Sequence, residues 1–227
     1  MKKNTQTIQS MAITALLCAL GIMIPMVMPK IVIPPMSFTL ASHVPIFIAM
    51  FISPVSAIAT TLITSVGFLF SLSVVVALRA LSHIFFVIAG CLLLKRFANL
   101  LQSPKTAIPY GLLLSLIHAV GETLVVTFFY FGGGVDDSWY ESGYIVAVLL
   151  LVGVGTIVHS MIDFGLAVAV WKPVQSVLRM PVAAPMRRRE KAYKIKDKIC
   201  LLLKFSMAGF FVPRFYRKGL GSRFLQK

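Results

Sequence analysis

Seven side chains able to carry or share a proton lie inside apolar runs of this 227-residue sequence: His43, Arg79, His83, His118, Glu122, His159 and Asp163. Six of them form pairs at i, i+4 spacing, Arg79 with His83, His118 with Glu122, and His159 with Asp163. On a helix that spacing sets both members on one face, with Cβ atoms about 6 Å apart. One such pair can satisfy itself within its own helix. Three pairs in three separate apolar runs point to faces that converge on one polar interior. An arginine at mid-bilayer depth costs on the order of 2.5–3.5 kcal/mol on insertion scales. Arg79 therefore needs an anion, a carbonyl cluster or a water-filled cavity, unless it sits at a helix end and snorkels to the surface.

The chemistry these residue types offer is recognition of a small anion. A guanidinium holds a carboxylate by two parallel hydrogen bonds. An imidazole or Glu122 can meet a ring nitrogen, and Phe38, Phe68 or Tyr130 can wall a planar ligand, although each aromatic alone is also an ordinary core residue. His-x-x-x-Glu and His-x-x-x-Asp could ligate a metal, which makes an intramembrane metalloenzyme the alternative of a different class. Neither His-Glu-x-x-His nor Gly-x-Ser-x-Gly occurs. Cys18, Cys91 and Cys200 stand alone in apolar runs, with no metal-ligand spacing. The expectation is capture of a solute without catalysis, with no metal and no cofactor. No Gly-x-x-x-x-Gly-Lys-Ser/Thr loop is present, so uphill transport would need a partner or an ion gradient.

The elements that must position these residues are membrane helices. The chain is 58% hydrophobic and 13% charged, too little charge to cover a soluble surface. The pattern predicts an all-α integral membrane bundle of six transmembrane helices, at about 8–28, 38–52, 55–72, 75–94, 108–131 and 144–171. The second covers only about 22 Å at 1.5 Å per residue, short for a span. Behind Met1-Lys2-Lys3 the apolar segment is of spanning length and has no small-residue cleavage site, so no cleavable signal is expected. Pro29, Pro34 and Pro35 keep the first loop extended and non-helical, suited either to a lid or to a plain interfacial loop. Ala12, Ala15 and Ala19 give the first span a smooth face, for close packing either within the bundle or against a partner helix.

Charge orients the bundle. Residues 179–227 carry 14 Lys or Arg against Glu190 and Asp197, a net +12 of the chain's +15. Residues 1–178 thus form the membrane domain and 179–227 a basic tail, suited to anionic lipid rather than nucleic acid. Lys2, Lys3, Lys95, Arg96, Lys105 and the tail fall on one side of a six-span count. That side is cytoplasmic, so both termini are inside and Gly132-Gly133-Gly134 is outside. In this frame Arg79, His83, His43, Glu122 and His118 form a ligand layer toward the exterior. His159 and Asp163 fall in the inner half and read as structural.

The six-span plan, Ala15-x-x-x-Ala19 and the proline-rich first loop resemble the S component, the substrate-binding subunit, of energy-coupling-factor (ECF) vitamin transporters. The run from Phe38-Thr-Leu-Ala-Ser-His through Met50-Phe51, with Leu78-Arg-Ala-Leu-Ser-His83 and His118-Ala-Val-Gly-Glu122, is similar to niacin-specific members. The resemblance covers roughly residues 8–175; the tail after Arg187 departs from it. It implies a non-enzymatic protein of the bacterial cell membrane that binds a vitamin near the outer face, with the Pro34-Pro35 loop as gate. It also implies docking through Ala15 and Ala19 onto a transmembrane coupling protein, EcfT, driven by two ATPase subunits. Niacin is a pyridine carboxylate, which suits an anion site at Arg79. A different vitamin or small anion is the alternative within the family.

Overall fold

The computed structural model describes residues 2–133, 135–178 and 181–186. The expectation of anionic-lipid binding by the basic tail falls, from Arg187 on, outside the described residues. In chain order the elements are α1 (Lys2–Val27), β1 (Lys30–Ile33), β2 (Met36–Thr39), α2 (Val44–Ile52), α3 (Pro54–Ser71), α4 (Val74–Arg96), α5 (Pro104–Gly132), a 3₁₀ turn (Asp137–Trp139), and a π-helical stretch (Ile145–Val154) that runs into α6 (Gly155–Val177).

Local chemistry sets the helix starts. Ser53, Ser73 and Ser103 are N-caps whose hydroxyls accept the backbone N–H of Ser56, Val76 and Lys105, and Pro54 and Pro104 occupy first-turn positions. Lys95 and Arg96 close α4, where positive charge complements the helix dipole. Five stretches among the described residues are long and apolar enough to cross a membrane: Thr5–Val27, Pro54–Ser71, Val74–Arg96, Pro104–Gly132 and Ile145–Val177. The protein is a helical membrane bundle.

The second predicted span is the exception. Phe38 and Thr39 belong to β2, and α2 has 9 residues, about 14 Å of helix. Its start is delayed because Ala41 has φ +67°, a left-handed conformation that breaks a right-handed helix. Eight residues of α2, Pro45 to Ile52, are buried. An all-apolar helix has no wet face to offer, so it is enclosed by its neighbours.

The first loop is a β-hairpin. β1 pairs antiparallel with β2 in the register Lys30↔Thr39 to Ile33↔Met36, with Pro34-Pro35, joined by a cis peptide bond, at the turn. β1 is exposed along its length, while Met36 and Thr39 of β2 face inward.

Inside a bilayer, apolar burial gives little drive to helix association, so close shape fit must. Phe47 and Phe51 of α2 pack on Phe86, Phe164 and Trp171, with ring centroids 5.4–6.3 Å apart. A Cβ at Gly111 would fall 2.5 Å from the Phe164 ring, so the residue's lack of a side chain lets α5 close on α6. The last carbonyls of α2 have no partner within the helix. They accept from the irregular segment at 181–186: Ala184 N donates to Phe51 O and Ala183 N to Ile52 O, each at 3.0 Å, while Trp171 Nε1 donates to Ala184 O at 2.9 Å. Residues 181–186 therefore pack against the ends of α2 and α6.

Candidate ligand-binding pocket

A cavity of ≈ 180 Å³ opens where α1 and α3 end and α4 and α6 begin. Its size suits a small ring compound rather than a drug-sized one, whose pockets run to about 300–1,000 Å³. Lys30, Ser37, Phe38 and Thr39 of the hairpin contribute to its lining; Arg79, His83, His118, Glu122, Thr156 and His159 come from α4, α5 and α6, and His43 from the start of α2.

Arg79 is 8% exposed, so it does not snorkel. Its Nε and Nη2 donate to one oxygen of Glu122, Oε2, at 3.0 and 2.5 Å, and Nη1 reaches toward the Pro35 carbonyl at 3.5 Å. The carboxylate expected from a ligand is thus partly replaced by an internal one. What remains for an incoming acid is the Nη1–Nη2 end of the fork. Thr156 donates to the same Oε2 at 3.4 Å. The other oxygen, Oε1, faces His83 Nε2 at 3.3 Å and His118 Nε2 at 3.4 Å.

All four histidines of the chain meet here. The His43 ring lies 4.9, 4.6 and 5.0 Å, centroid to centroid, from those of His83, His118 and His159, and His83 and His118 are 4.6 Å apart. Phe86 lies under two of them, 5.6 Å from His83 and 5.0 Å from His118.

Asp163 is fully buried and organises the approach to α2. Its Oδ1 accepts from Ala41 N at 2.8 Å, and its Oδ2 from His43 N at 2.9 Å, His43 Nδ1 at 3.0 Å and Ser42 Oγ at 3.3 Å. The left-handed residue Ala41 costs roughly 1–2 kcal/mol; a carboxylate taking its N–H offsets that cost. One aspartate on α6 thereby fixes both the hairpin's exit and the ring of His43.

His159 lies elsewhere than the depth argument placed it. It lines the cavity and stacks on Phe38, with centroids 4.8 Å apart and planes 19° apart. The hairpin folds down toward the start of α6, which an estimate of depth from helix positions alone cannot register. At that contact a Cβ on Gly155 would come within 2.8 Å of the Phe38 ring, so glycine makes room for the aromatic. Thr156 escaped the sequence reading, although a signal existed: it precedes His159 by three residues and Asp163 by seven, on the same helix face. Pro35 is buried and Pro34 exposed at the hairpin turn.

The inward side of α1 packs on α3. Thr14 Oγ1 donates to Ser56 Oγ at 2.8 Å, Cys18 Sγ lies 3.8 Å from Thr60 Oγ1, and Gly21 lies over Thr64, so the inward side is a small polar one. Ala12, Ala15 and Ala19 are exposed among the described residues.

Two overlapping groups could hold a metal ion: His43, His83, His118 and Glu122, and His43, His159 and Asp163; within each, one ligand atom per residue lies within 4.8 Å of the others.

A multi-pass helical bundle with a small charged pocket beneath a hairpin is the build of a membrane protein that receives a small solute. The chain is 37% identical over 194 residues, 85% of its own length and 86% of the relative's, to the niacin transporter NiaX of Lactococcus lactis subsp. cremoris (strain MG1363). It belongs to the NiaX family: a multi-pass transport protein of the cell membrane, not an enzyme. No protein-family model and no solved structure matches the chain.

Proposed function

We propose that this protein is the substrate-capture S component of an ECF-type importer and that it binds niacin, as nicotinate, near the outer face of the membrane. The observation that carries the reading is a guanidinium buried against a small cavity and flanked by imidazoles, in a relative of a niacin transporter. Nicotinate is a planar anion with a ring nitrogen. Its carboxylate would take the free end of Arg79. One imidazole of the His43, His83 and His118 cluster would meet the ring nitrogen through a nitrogen not otherwise engaged, while Glu122 holds Arg79 in place, and the hairpin turn at Pro34 and Pro35 would close the entry.

The six-crossing orientation follows the Lys and Arg distribution, with both termini cytoplasmic and α2 plus the hairpin making the short second crossing. Uptake then depends on EcfT and two ATPases, as the resemblance to ECF transporters implies, and the sequence has no nucleotide loop of its own. The exposed Ala15 and Ala19 face supports docking on the coupling protein, since small residues let helix backbones approach closely in lipid.

Equilibrium binding of nicotinate and of nicotinamide to the purified protein tests the assignment. Nicotinate should bind more tightly, and Arg79→Ala should weaken it by one to two orders of magnitude, the scale of one charge-assisted hydrogen bond at about 1.5–3 kcal/mol. Undiminished nicotinate binding by Arg79→Ala would remove Arg79 from the site. A different mass for the ligand released from freshly purified protein would redirect the assignment to another small anion.

A further inference from the structure

We propose that His43, His83, His118 and Glu122 bind a divalent transition-metal ion, and that this ion supplies the positive charge against which the pocket accepts an anionic ligand. The second half rests on the capture reading above.

The donors are of the right kind and nearly in place. Three imidazoles and one carboxylate suit zinc, nickel or cobalt rather than magnesium or calcium, which prefer oxygen. Their ligand atoms lie within 4.8 Å of one another. A tetrahedral zinc with bonds of about 2.0–2.1 Å needs donors about 3.3 Å apart, a closure within reach of side-chain rotation. The same bond length sets three ligating rings with centroids about 5 Å apart, and the rings of His43, His83 and His118 are 4.6–4.9 Å apart.

These imidazoles also hold unused nitrogens. His118 is 1% exposed and, among the described residues, makes no hydrogen bond at either nitrogen; Nε2 stands near Glu122 Oε1 but outside bonding geometry. His83, 5% exposed, has an Nδ1 with no partner among the described residues. Buried polar atoms left without partners are rare, because each forfeits its hydration. A metal ion takes up such lone pairs.

The surrounding groups aim the donors inward, as outer partners do around metal sites. Asp163 accepts from His43 Nδ1, which leaves Nε2 as that ring's free nitrogen. Arg79 and Thr156 hold Glu122 Oε2, which leaves Oε1 toward His83 and His118.

Charge gives the ion its purpose. With neutral imidazoles, buried Arg79 faces Glu122 and Asp163, a net charge of −1. Lys30 is exposed on the hairpin, where solvent screens it. An added carboxylate would bring the enclosed charge to −2, which a low-dielectric interior resists. A dication brings the same loaded pocket to neutrality.

The test uses the full chain, purified, stripped with chelator and titrated with Co²⁺ alone. One equivalent should bind with the visible spectrum of four-coordinate cobalt, be displaced by Zn²⁺ and be lost in His118→Ala and in His83→Gln. Nicotinate binding to the wild-type protein is then measured after stripping and after adding back Zn²⁺ or Mg²⁺; this arm needs no variant to fold. Stripping should weaken binding at least tenfold, with restoration by Zn²⁺ only. Absence of stoichiometric cobalt binding, or equal binding by folded His118→Ala and His83→Gln proteins, overturns the metal site. Nicotinate affinity indifferent to stripping overturns the ion's role and leaves niacin capture standing. Cobalt binding with no nicotinate binding in any metal state upholds the site and defeats the capture reading.

Discussion

Arg79 donates from both Nε and Nη2 to a single oxygen of Glu122, joining α4 to α5 through an ion pair in which neither residue is more than 8% exposed. The pair orients the guanidinium and leaves one end of it toward the cavity. Breaking a buried pair from one side strands a charge, which costs more than removing both.

Glu122→Ala should therefore lower stability by about 3–5 kcal/mol, read as a drop in the thermal unfolding midpoint in detergent. The double variant Arg79→Met with Glu122→Leu should recover most of that loss while abolishing nicotinate binding. Equal instability of single and double variants would show that the two residues act independently.

Asp163→Ala removes the acceptor for the N–H groups of Ala41 and His43. Each orphaned buried donor costs about 1–3 kcal/mol, so the loss should be roughly 2–6 kcal/mol. The link between hairpin and α2 should loosen first. Hydrogen exchange should accelerate most in residues 30–43, and uniform acceleration across the bundle would count against this local anchoring role.

Gly155→Ala sets two effects against each other. Alanine in place of glycine favours a helix by about 1 kcal/mol, whereas a methyl group 2.8 Å from the Phe38 ring overpacks the contact by about 1–3 kcal/mol. The global unfolding midpoint should change little, while Phe38 is displaced and bound nicotinate leaves several-fold faster. An unchanged dissociation rate would mean that Phe38 does not retain the ligand.

Replacing Ala15 and Ala19 together by Trp should leave nicotinate binding within twofold of wild type, because both side chains are exposed and away from the cavity. Co-purification with the coupling protein and its ATPases should be lost, as bulky residues keep helix backbones apart. Intact assembly would place the partner surface elsewhere.

The membrane class, the long helices and the meeting of His43, Arg79, His83, His118 and Glu122 were readable from the sequence. Each rests on local facts: apolar runs of spanning length, Ser and Pro at helix starts, and ionisable residues too costly to hold in lipid without partners. The i, i+4 pairs placed Arg79 with His83 and His118 with Glu122 because helical periodicity is a local property.

The partnerships were not readable, because the chain must fold before they exist. Glu122 is 43 positions from the arginine it binds. The carboxylate of Asp163 reaches the backbone 120 positions earlier at His43, which helps explain why α2 begins at Val44 and not at Phe38. Hydropathy marked Phe38 as apolar, but only packing on Gly155 and His159 made it part of a hairpin over the cavity. Small residues on α1 promised a close contact without saying with what; the exposure of Ala15 and Ala19 turned that face outward. Composition and periodicity determine which segments enter the membrane, since that choice is settled segment by segment in lipid. Tertiary structure decides which buried charges meet, since a hydrogen bond depends on distances that only the assembled bundle defines.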